Sequence, residues 1–152
     1  MRKFSGMKTK IKDRVIRNLA AIAAVAALFF LQGCGKEELY FSVQDAALLG
    51  NVYLYQEIAE NGTKKGSPYA VGLEQEGDGV CFTVSIRKNG FYDLDFSASG
   101  IGSGKYNIVQ VDGAEEGLLY TPEAEGFQEC VLQKIYLEKG THPVSYTHLT
   151  LP

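Results

Sequence analysis

The sequence predicts one small antiparallel β-sandwich, and three observations support this fold class. Apolar and polar residues alternate over short stretches, with turn signals roughly every 8 to 12 residues. Glycine occurs 17 times, tryptophan is absent, and no stretch keeps a helical period for three turns. The 118 residues that follow Cys34 are enough for a single core.

The first element is an apolar run from Leu19 to Leu31, preceded by seven Lys or Arg residues and one acid, Asp13. This pattern predicts a signal-peptide helix, since a membrane span needs about 20 apolar residues. Leu31-Gln32-Gly33-Cys34 resembles a bacterial lipobox, which implies a signal peptide over residues 1–33, lipidation of Cys34 and a tether over 34–39. The expected location is the outer face of a bacterial membrane. An uncleaved anchor or a signal peptide cut elsewhere remain alternatives.

Charge limits the partners of the segment that follows the leader. The chain has 15 basic and 18 acidic residues, of which the leader holds seven and one, so 8 and 17 remain with a net charge of −9. Nucleic acid binding depends on Lys and Arg at phosphates, so this balance argues against it. An anionic ligand is disfavoured for the same reason.

The next strands are predicted from apolar and aromatic stretches. Residues 40–43 and 48–55 are extended, the latter with a bend at Gly50-Asn51, and 69–73 resume after a loop over 60–68. Val80 to Ile86 and Tyr92 to Ala98 alternate strictly, and Lys88-Asn89-Gly90 between them predicts a hairpin. A glycine-rich loop over 100–104, a strand over 105–111, a turn at Asp112-Gly113 and a strand over 127–137 complete the domain.

The cysteines that follow Cys34 are Cys81 and Cys130. Outside the cytoplasm such a pair can form a disulfide. Two separate thiols fit the sequence equally well, because the geometry between the two strands cannot be deduced from spacing.

In this order of elements, residues 40–142 resemble carbohydrate-binding modules of families 6 and 35. The resemblance lies in six segments: Phe41 to Gly50, Gly66 to Gly72, Gly77 to Val84, Gly90 to Phe96, Val111 to Gly113 and Ile135 to Gly140. It implies a jelly-roll β-sandwich of the galactose-binding-like type and a glycan or polysaccharide as ligand.

Two departures from that family concern calcium and the C-terminus. The acidic pair that helps to hold a structural calcium in the family is Ser42 and Gln44 here, so calcium would bind weakly if at all. The family's closing strand is missing, and residues 144–152 look like translated adapter sequence. We therefore expect an incomplete domain over 40–143 with an artefactual tail, an exposed sheet edge and a partly open core.

Sugar recognition in such modules combines an aromatic face with polar groups, which makes Tyr69, Lys105, Asp112 and Tyr120 the ligand-binding candidates. Tyr120 is placed in a loop beside Thr121-Pro122. Tyr106 and Phe127 are further aromatic candidates, but core packing or a half-buried position on the sheet is favoured for both, because they fall within strand alternation. On the alternative interpretation, Asp112 is simply the turn residue before Gly113, and Lys105 is a solvated surface residue.

The sequence favours a non-catalytic, membrane-anchored sugar-binding module. His142 and His148 are the only histidines, and both are C-terminal, so neither a metal cluster nor a catalytic triad can be assembled from them. Two alternatives are an accessory domain of a truncated glycoside hydrolase and a structural or protein-binding lipoprotein without a sugar ligand.

Overall fold

The structure, a computed structural model, describes residues 24–33 and 38–150. The elements in order are β1 (Ala24–Gly33), β2 (Glu38–Phe41), a 3₁₀ turn (Val43–Asp45), β3 (Ala47–Leu49), β4 (Tyr53–Ile58), β5 (Lys64–Val71), β6 (Gly79–Ile86), β7 (Gly90–Ser99), β8 (Lys105–Val111), β9 (Ala114–Thr121), β10 (Gln128–Leu137) and β11 (Gly140–Leu149). Sheet A has the strand order β10-β7-β1-β5-β4, with β2 paired to β1. Sheet B has the order β3-β6-β11-β8-β9. All pairs are antiparallel, as predicted.

The core lies between the two sheets and follows the period of two along the strands. The inward residues of β6 are Val80, Phe82, Val84 and Ile86, and those of β7 are Tyr92, Leu94, Phe96 and Ala98. All eight are buried. The predicted alternation is therefore confirmed, and so is the sandwich.

The predicted hairpin between β6 and β7 is wrong. β6 belongs to sheet B and β7 to sheet A, so the residues between them carry the chain from one sheet to the other. The connection is fixed by the Tyr92 hydroxyl, which donates to the Lys88 carbonyl at 2.7 Å, and by the Lys139 N–H, which donates to Asn89 Oδ1 at 2.7 Å. Two strands that face each other across a core show the same alternation as two paired strands, which explains the error.

A tight two-residue hairpin joins β8 to β9 through Asp112 and Gly113. Both have positive φ, 53° and 81°, as a two-residue turn between twisted strands requires. The sequence analysis found the turn but no strand after it. Consequently Tyr120, predicted to be in a loop, lies within β9 and pairs with Tyr106.

Residues 24–33 form a strand where the sequence predicts the end of a signal-peptide helix. In β1, Phe29 pairs with Phe96, and Ala24 pairs with both Ser99 and Val71, so the strand fills the space between β7 and β5. An apolar segment satisfies its backbone groups in a helix or between two strands, and periodicity does not distinguish these. None of the described residues belongs to a helix long and apolar enough to cross a bilayer. Cys34 lies outside the described residues.

The expected gap in the fold is not observed. Residues 144–149, part of the segment for which the sequence predicts an artefactual tail, form the second half of β11 between β6 and β8. Val144 and Tyr146 are buried, and the Tyr146 ring lies 4.8 Å from that of Phe96 in sheet A. The alternation of Val144 and Tyr146 with Ser145 and Thr147 suits a strand with one buried face. The origin of this segment stays a prediction.

Asp78 organises the loop that leads into β6. Its carboxylate is buried and accepts hydrogen bonds from the N–H groups of Asn51 at 2.8 Å, Gln75 at 2.8 Å and Glu74 at 3.3 Å. These hydrogen bonds, of which the one from Asn51 has the largest effect, lower the pKa of Asp78 despite its burial. One side chain thus joins the β3–β4 turn to the β5–β6 loop.

Asp78→Ala should lower the free energy of unfolding by about 2 kcal/mol, because three backbone N–H groups of two loops lose their buried, charged acceptor. A carboxyl group with a lowered pKa stabilises the fold above its unfolded pKa of about 3.9 and loses that effect as the pH falls through the folded value. Urea titrations from about pH 7 to pH 3 should therefore bring the two proteins closer as the pH falls. Glu76→Gln, an exposed change in the same loop, is the control and should have little effect. Equal stability of wild type and Asp78→Ala at pH 7 would contradict this account.

Candidate functional site

Four aromatic side chains form a surface cluster on sheet A, which we call the aromatic platform: Tyr53, Tyr55, Tyr69 and Phe127. Tyr53 and Tyr55 are two positions apart on β4, and Tyr55 pairs directly with Tyr69 on β5, so all three share one face. This is the outer face, since the neighbouring Ala70 belongs to the core cluster. The Tyr55 and Tyr69 rings lie 5.3 Å apart.

Phe127 reaches the platform from the loop between β9 and β10. The Ser99 hydroxyl donates to the Ala124 carbonyl at 3.1 Å, which holds this loop against the end of β7. A Cβ at Gly100 would lie 2.7 Å from the Pro122 carbonyl oxygen, so glycine permits the close approach. The Phe127 ring then meets that of Tyr69 edge to face, with centroids 5.4 Å apart.

The platform is accessible to a ligand. Tyr53 is 50% and Phe127 41% exposed, while Tyr69 is half-buried. Burial, together with the nearby Tyr55 and Glu57, raises the pKa of Tyr69, so its hydroxyl stays protonated at neutral pH and can donate a hydrogen bond. Phe127 is therefore a partly exposed aromatic residue that continues the surface cluster and does not belong to the core.

A second aromatic cluster lies on the outer face of sheet B. Tyr106 and Tyr120 are paired across β8 and β9, with ring centroids 5.0 Å apart. Tyr106 is 38% and Tyr120 51% exposed. Of the two positions favoured for Tyr106, the structure therefore shows the partly buried one on the sheet and not the core. Gly104 makes room for the Tyr120 ring, which lies where a Cβ would stand. Lys105 begins β8 opposite the buried Thr121 and has the same alternation as the buried Asn107 and Val109, so Lys105 and Tyr120 lie on opposite faces of sheet B. Tyr69 belongs to a different face.

Asp112 does not join these residues. It lies at the opposite end of β8 from Lys105, seven residues and roughly 23 Å along the strand. There its carboxylate contacts His142 Nδ1 at 2.7 Å, while His142 Nε2 lies 2.9 Å from the Glu138 carbonyl oxygen. Asp112, a sugar-binding candidate from the sequence, therefore connects the β8–β9 turn to the start of β11.

The calcium candidates have little capacity for a metal. Ser42 is the N-cap of the 3₁₀ turn, and its hydroxyl accepts a hydrogen bond from the Gln44 N–H at 3.2 Å. Gln44 itself is exposed. Within the part of the chain that the structure describes, no three His, Cys, Asp or Glu side chains cluster as metal ligands. Ser42 and Gln44 offer only neutral oxygens, which bind calcium weakly.

Cys81 and Cys130 are free thiols, so the candidate disulfide is not formed. Cys81 lies between the inward-facing Val80 and Phe82 and therefore points outward from sheet B, whereas Cys130 is buried on the core side of sheet A. The two side chains thus point in directions that no bridge can span. Burial raises the pKa of both thiols.

Comparisons with known proteins identify the class of fold. No protein-family profile matches the chain. Family 35 carbohydrate binding module from Clostridium thermocellum superposes with a TM-score of 0.51 and 15% identity over 77% of this chain and 84% of that one. The GH26-CBM35 β-(1,4)-mannanase of Podospora anserina gives 0.55 and 16%, over 83% and 29% of the two chains. The chain has the fold of a family 35 carbohydrate-binding module, which confirms the predicted jelly roll.

Two larger enzymes contain a similar stretch. A cycloisomaltooligosaccharide glucanotransferase of Paenibacillus sp., complexed with cycloisomaltoheptaose, matches with a TM-score of 0.57 and 24% identity over 69% of this chain and 15% of that one. Mannan endo-1,4-beta-mannosidase B of Piromyces sp. is 26% identical over 117 residues, which are 77% of this chain. The chain spans 20% of the length of that curated relative.

The contact between His142 and Asp112 predicts a pH-dependent contribution to stability. Its hydrogen bond to Asp112 is the largest cause of the raised pKa of His142, and burial opposes it. A raised histidine pKa stabilises the fold fully below the unfolded value of about 6.5, and this effect is lost as the pH rises through the folded value. Asp112→Asn should therefore cost about 0.5–1 kcal/mol near pH 6 and less near pH 8.5.

Urea titrations at these two pH values check the prediction. Asparagine tolerates the positive φ of residue 112, so the substitution changes charge rather than backbone strain. Glu115→Gln, an exposed change in the same hairpin, serves as the control. A cost for Asp112→Asn that is equal at both pH values would show that the carboxylate does not act through the charge on His142.

Proposed function

We propose that the domain is a non-catalytic glycan-binding module whose binding surface is the aromatic platform. The observation that supports this most is the convergence of Tyr55, Tyr69 and Phe127, with ring separations of 5.3 and 5.4 Å, from three separate parts of the chain. Rings exposed in this way are suited to the apolar face of a pyranose. The core does not require them, since none belongs to the core cluster.

Polar groups beside the platform complement the hydroxyls of a sugar. The Tyr69 hydroxyl is a donor, and Gln56 follows Tyr55 on β4, with its amide donating to the Lys65 and Gly66 carbonyls at 3.1 Å. These contacts fix the β4–β5 hairpin next to the rings. Because the chain after the leader has a net charge of −9, we expect a neutral rather than an anionic glycan.

The names of the similar proteins guide the choice of ligand. Two are β-1,4-mannan-cleaving enzymes, and a third was solved with cycloisomaltoheptaose, an oligosaccharide of glucose. We therefore propose β-1,4-mannan as the first ligand to test and an α-glucan as the second. Calcium, which Ser42 and Gln44 would bind weakly, is not required by this proposal.

Anchoring of the module to a membrane would hold its glycan ligand at the cell surface. If Cys34 is lipidated, the domain is held at the outer face of a bacterial membrane and concentrates a glycan there. A second candidate function is an accessory domain of a longer glycoside hydrolase. It is favoured by the small share of the similar enzymes that this chain spans: 20%, 15% and 29% of their lengths.

Tyr69→Ala should abolish most glycan binding, because Tyr69 contacts both Tyr55 and Phe127 and its loss divides the platform. Loss of one stacking ring is expected to weaken affinity about tenfold or more, roughly 1.4 kcal/mol. Affinity electrophoresis and calorimetry with soluble galactomannan and dextran, each with and without calcium, measure this.

Tyr120→Ala is the control, since Tyr120 is a surface tyrosine in a separate ring pair on the other sheet. If Tyr120→Ala weakens binding and Tyr69→Ala does not, the binding surface lies on sheet B instead. A folded protein that binds neither polymer would favour the structural lipoprotein without a sugar ligand.

A further inference from the structure

A second pair of exposed aromatic rings lies on the same face of sheet A. Phe91 on β7 and Tyr136 on β10 are direct cross-strand partners, with centroids 5.4 Å apart and an interplanar angle of 64°. Phe91 is 59% and Tyr136 51% exposed, so neither contributes much to the core. Two adjacent exposed rings on a folded domain are typical of an interaction surface.

This pair is aligned with the aromatic platform along β7. Residues 91, 93, 95, 97 and 99 of β7 alternate with the core residues and therefore share the outer face. Gln128 pairs with Ala98, which places Phe127 in the row of Ser99. The eight steps from Phe91 to Ser99 correspond to roughly 26 Å of strand.

Hydrogen-bonding side chains lie between the two aromatic groups. Asp93, Asp95 and Ser97 follow each other along β7, and Glu129 is the partner of Ser97 on β10. Carboxylates and hydroxyls accept hydrogen bonds from sugar hydroxyls. We call this strip, with Phe91 and Tyr136, the β7 stripe.

The charge of the β7 stripe limits what can occupy it. Burial raises the pKa of Asp95, and the nearby Glu129 raises it further, because two carboxylates repel each other. A polyanion, such as an acidic polysaccharide, would be repelled by these groups. A neutral polysaccharide chain has both apolar ring faces and hydroxyls. It therefore matches a surface with aromatic rings at both ends and carboxylates between them.

We propose that the β7 stripe extends the glycan site, so that one neutral polysaccharide chain lies from the aromatic platform along β7 to Phe91 and Tyr136. The ligand is then the interior of a long chain rather than a chain end or a short oligosaccharide. This inference rests on the proposed function of the platform. Contacts at both ends of one chain act together, so length alone should raise the affinity.

The experiment compares galactomannan polymer with mannotetraose, which is too short to reach both aromatic groups. Using the full chain, Phe91→Ala with Tyr136→Ala should weaken polymer binding at least fivefold more than tetrasaccharide binding. Tyr69→Ala should weaken both ligands. Leu118→Ala, an exposed apolar change on sheet B, is the control and should alter neither. Circular dichroism and thermal unfolding establish that each variant is folded.

The outcomes separate the two proposals. If Tyr69→Ala leaves both ligands bound as before, the proposed function of the platform fails. If Tyr69→Ala weakens both but the double variant weakens polymer and tetrasaccharide equally or not at all, the extension alone is overturned. If the double variant changes only the sedimentation behaviour, Phe91 and Tyr136 form a contact between copies of the chain, which also overturns the extension.

Discussion

The structure depends on two apolar rows that bury each other, one from β6 in sheet B and one from β7 in sheet A. Each strand must turn every second side chain inward to build this core, and the intervening residues are forced to the outside. The surface chemistry of the domain follows from this constraint. On β7, the burial of Leu94 and Phe96 is what displays Asp93 and Asp95 on the outer face.

The same constraint explains why the alternation of this chain could be predicted but its pairing could not. The side chains from Val80 to Ala98 were assigned to the correct faces, since the period of two is local information. Whether β6 pairs with β7 or faces it depends on how the sheets close. This involves β11, which begins 54 residues after β6 ends, and β10, which begins 29 residues after β7 ends. The strand β9 was missed because Glu115, Glu116 and Gly117 interrupt the apolar pattern on an edge strand.

The candidate site shows the same division. Tyr69 was selected from its sequence context, and the pattern of Tyr53 and Tyr55 on one strand was available as a further signal. The contact of Tyr69 with Phe127 joins residues 58 positions apart and depends on the hydrogen bond of Ser99 to Ala124, so no local pattern could reveal it. Asp112 was chosen for a turn position in the family, but in this chain a histidine near the start of β11 occupies its carboxylate.

The bulge in β10 has a consequence for how copies of this domain can coexist. β10 is an edge strand of sheet A, and its register shifts between Leu132 and Ile135, where Lys134 has a φ of 62° and its N–H donates to Asp93 Oδ1 at 2.9 Å. Edge strands with free backbone groups recruit other chains into continuous sheets. A bulge capped by a side chain breaks the regular spacing of those groups. Copies of the domain held close together would therefore stay separate molecules on this side.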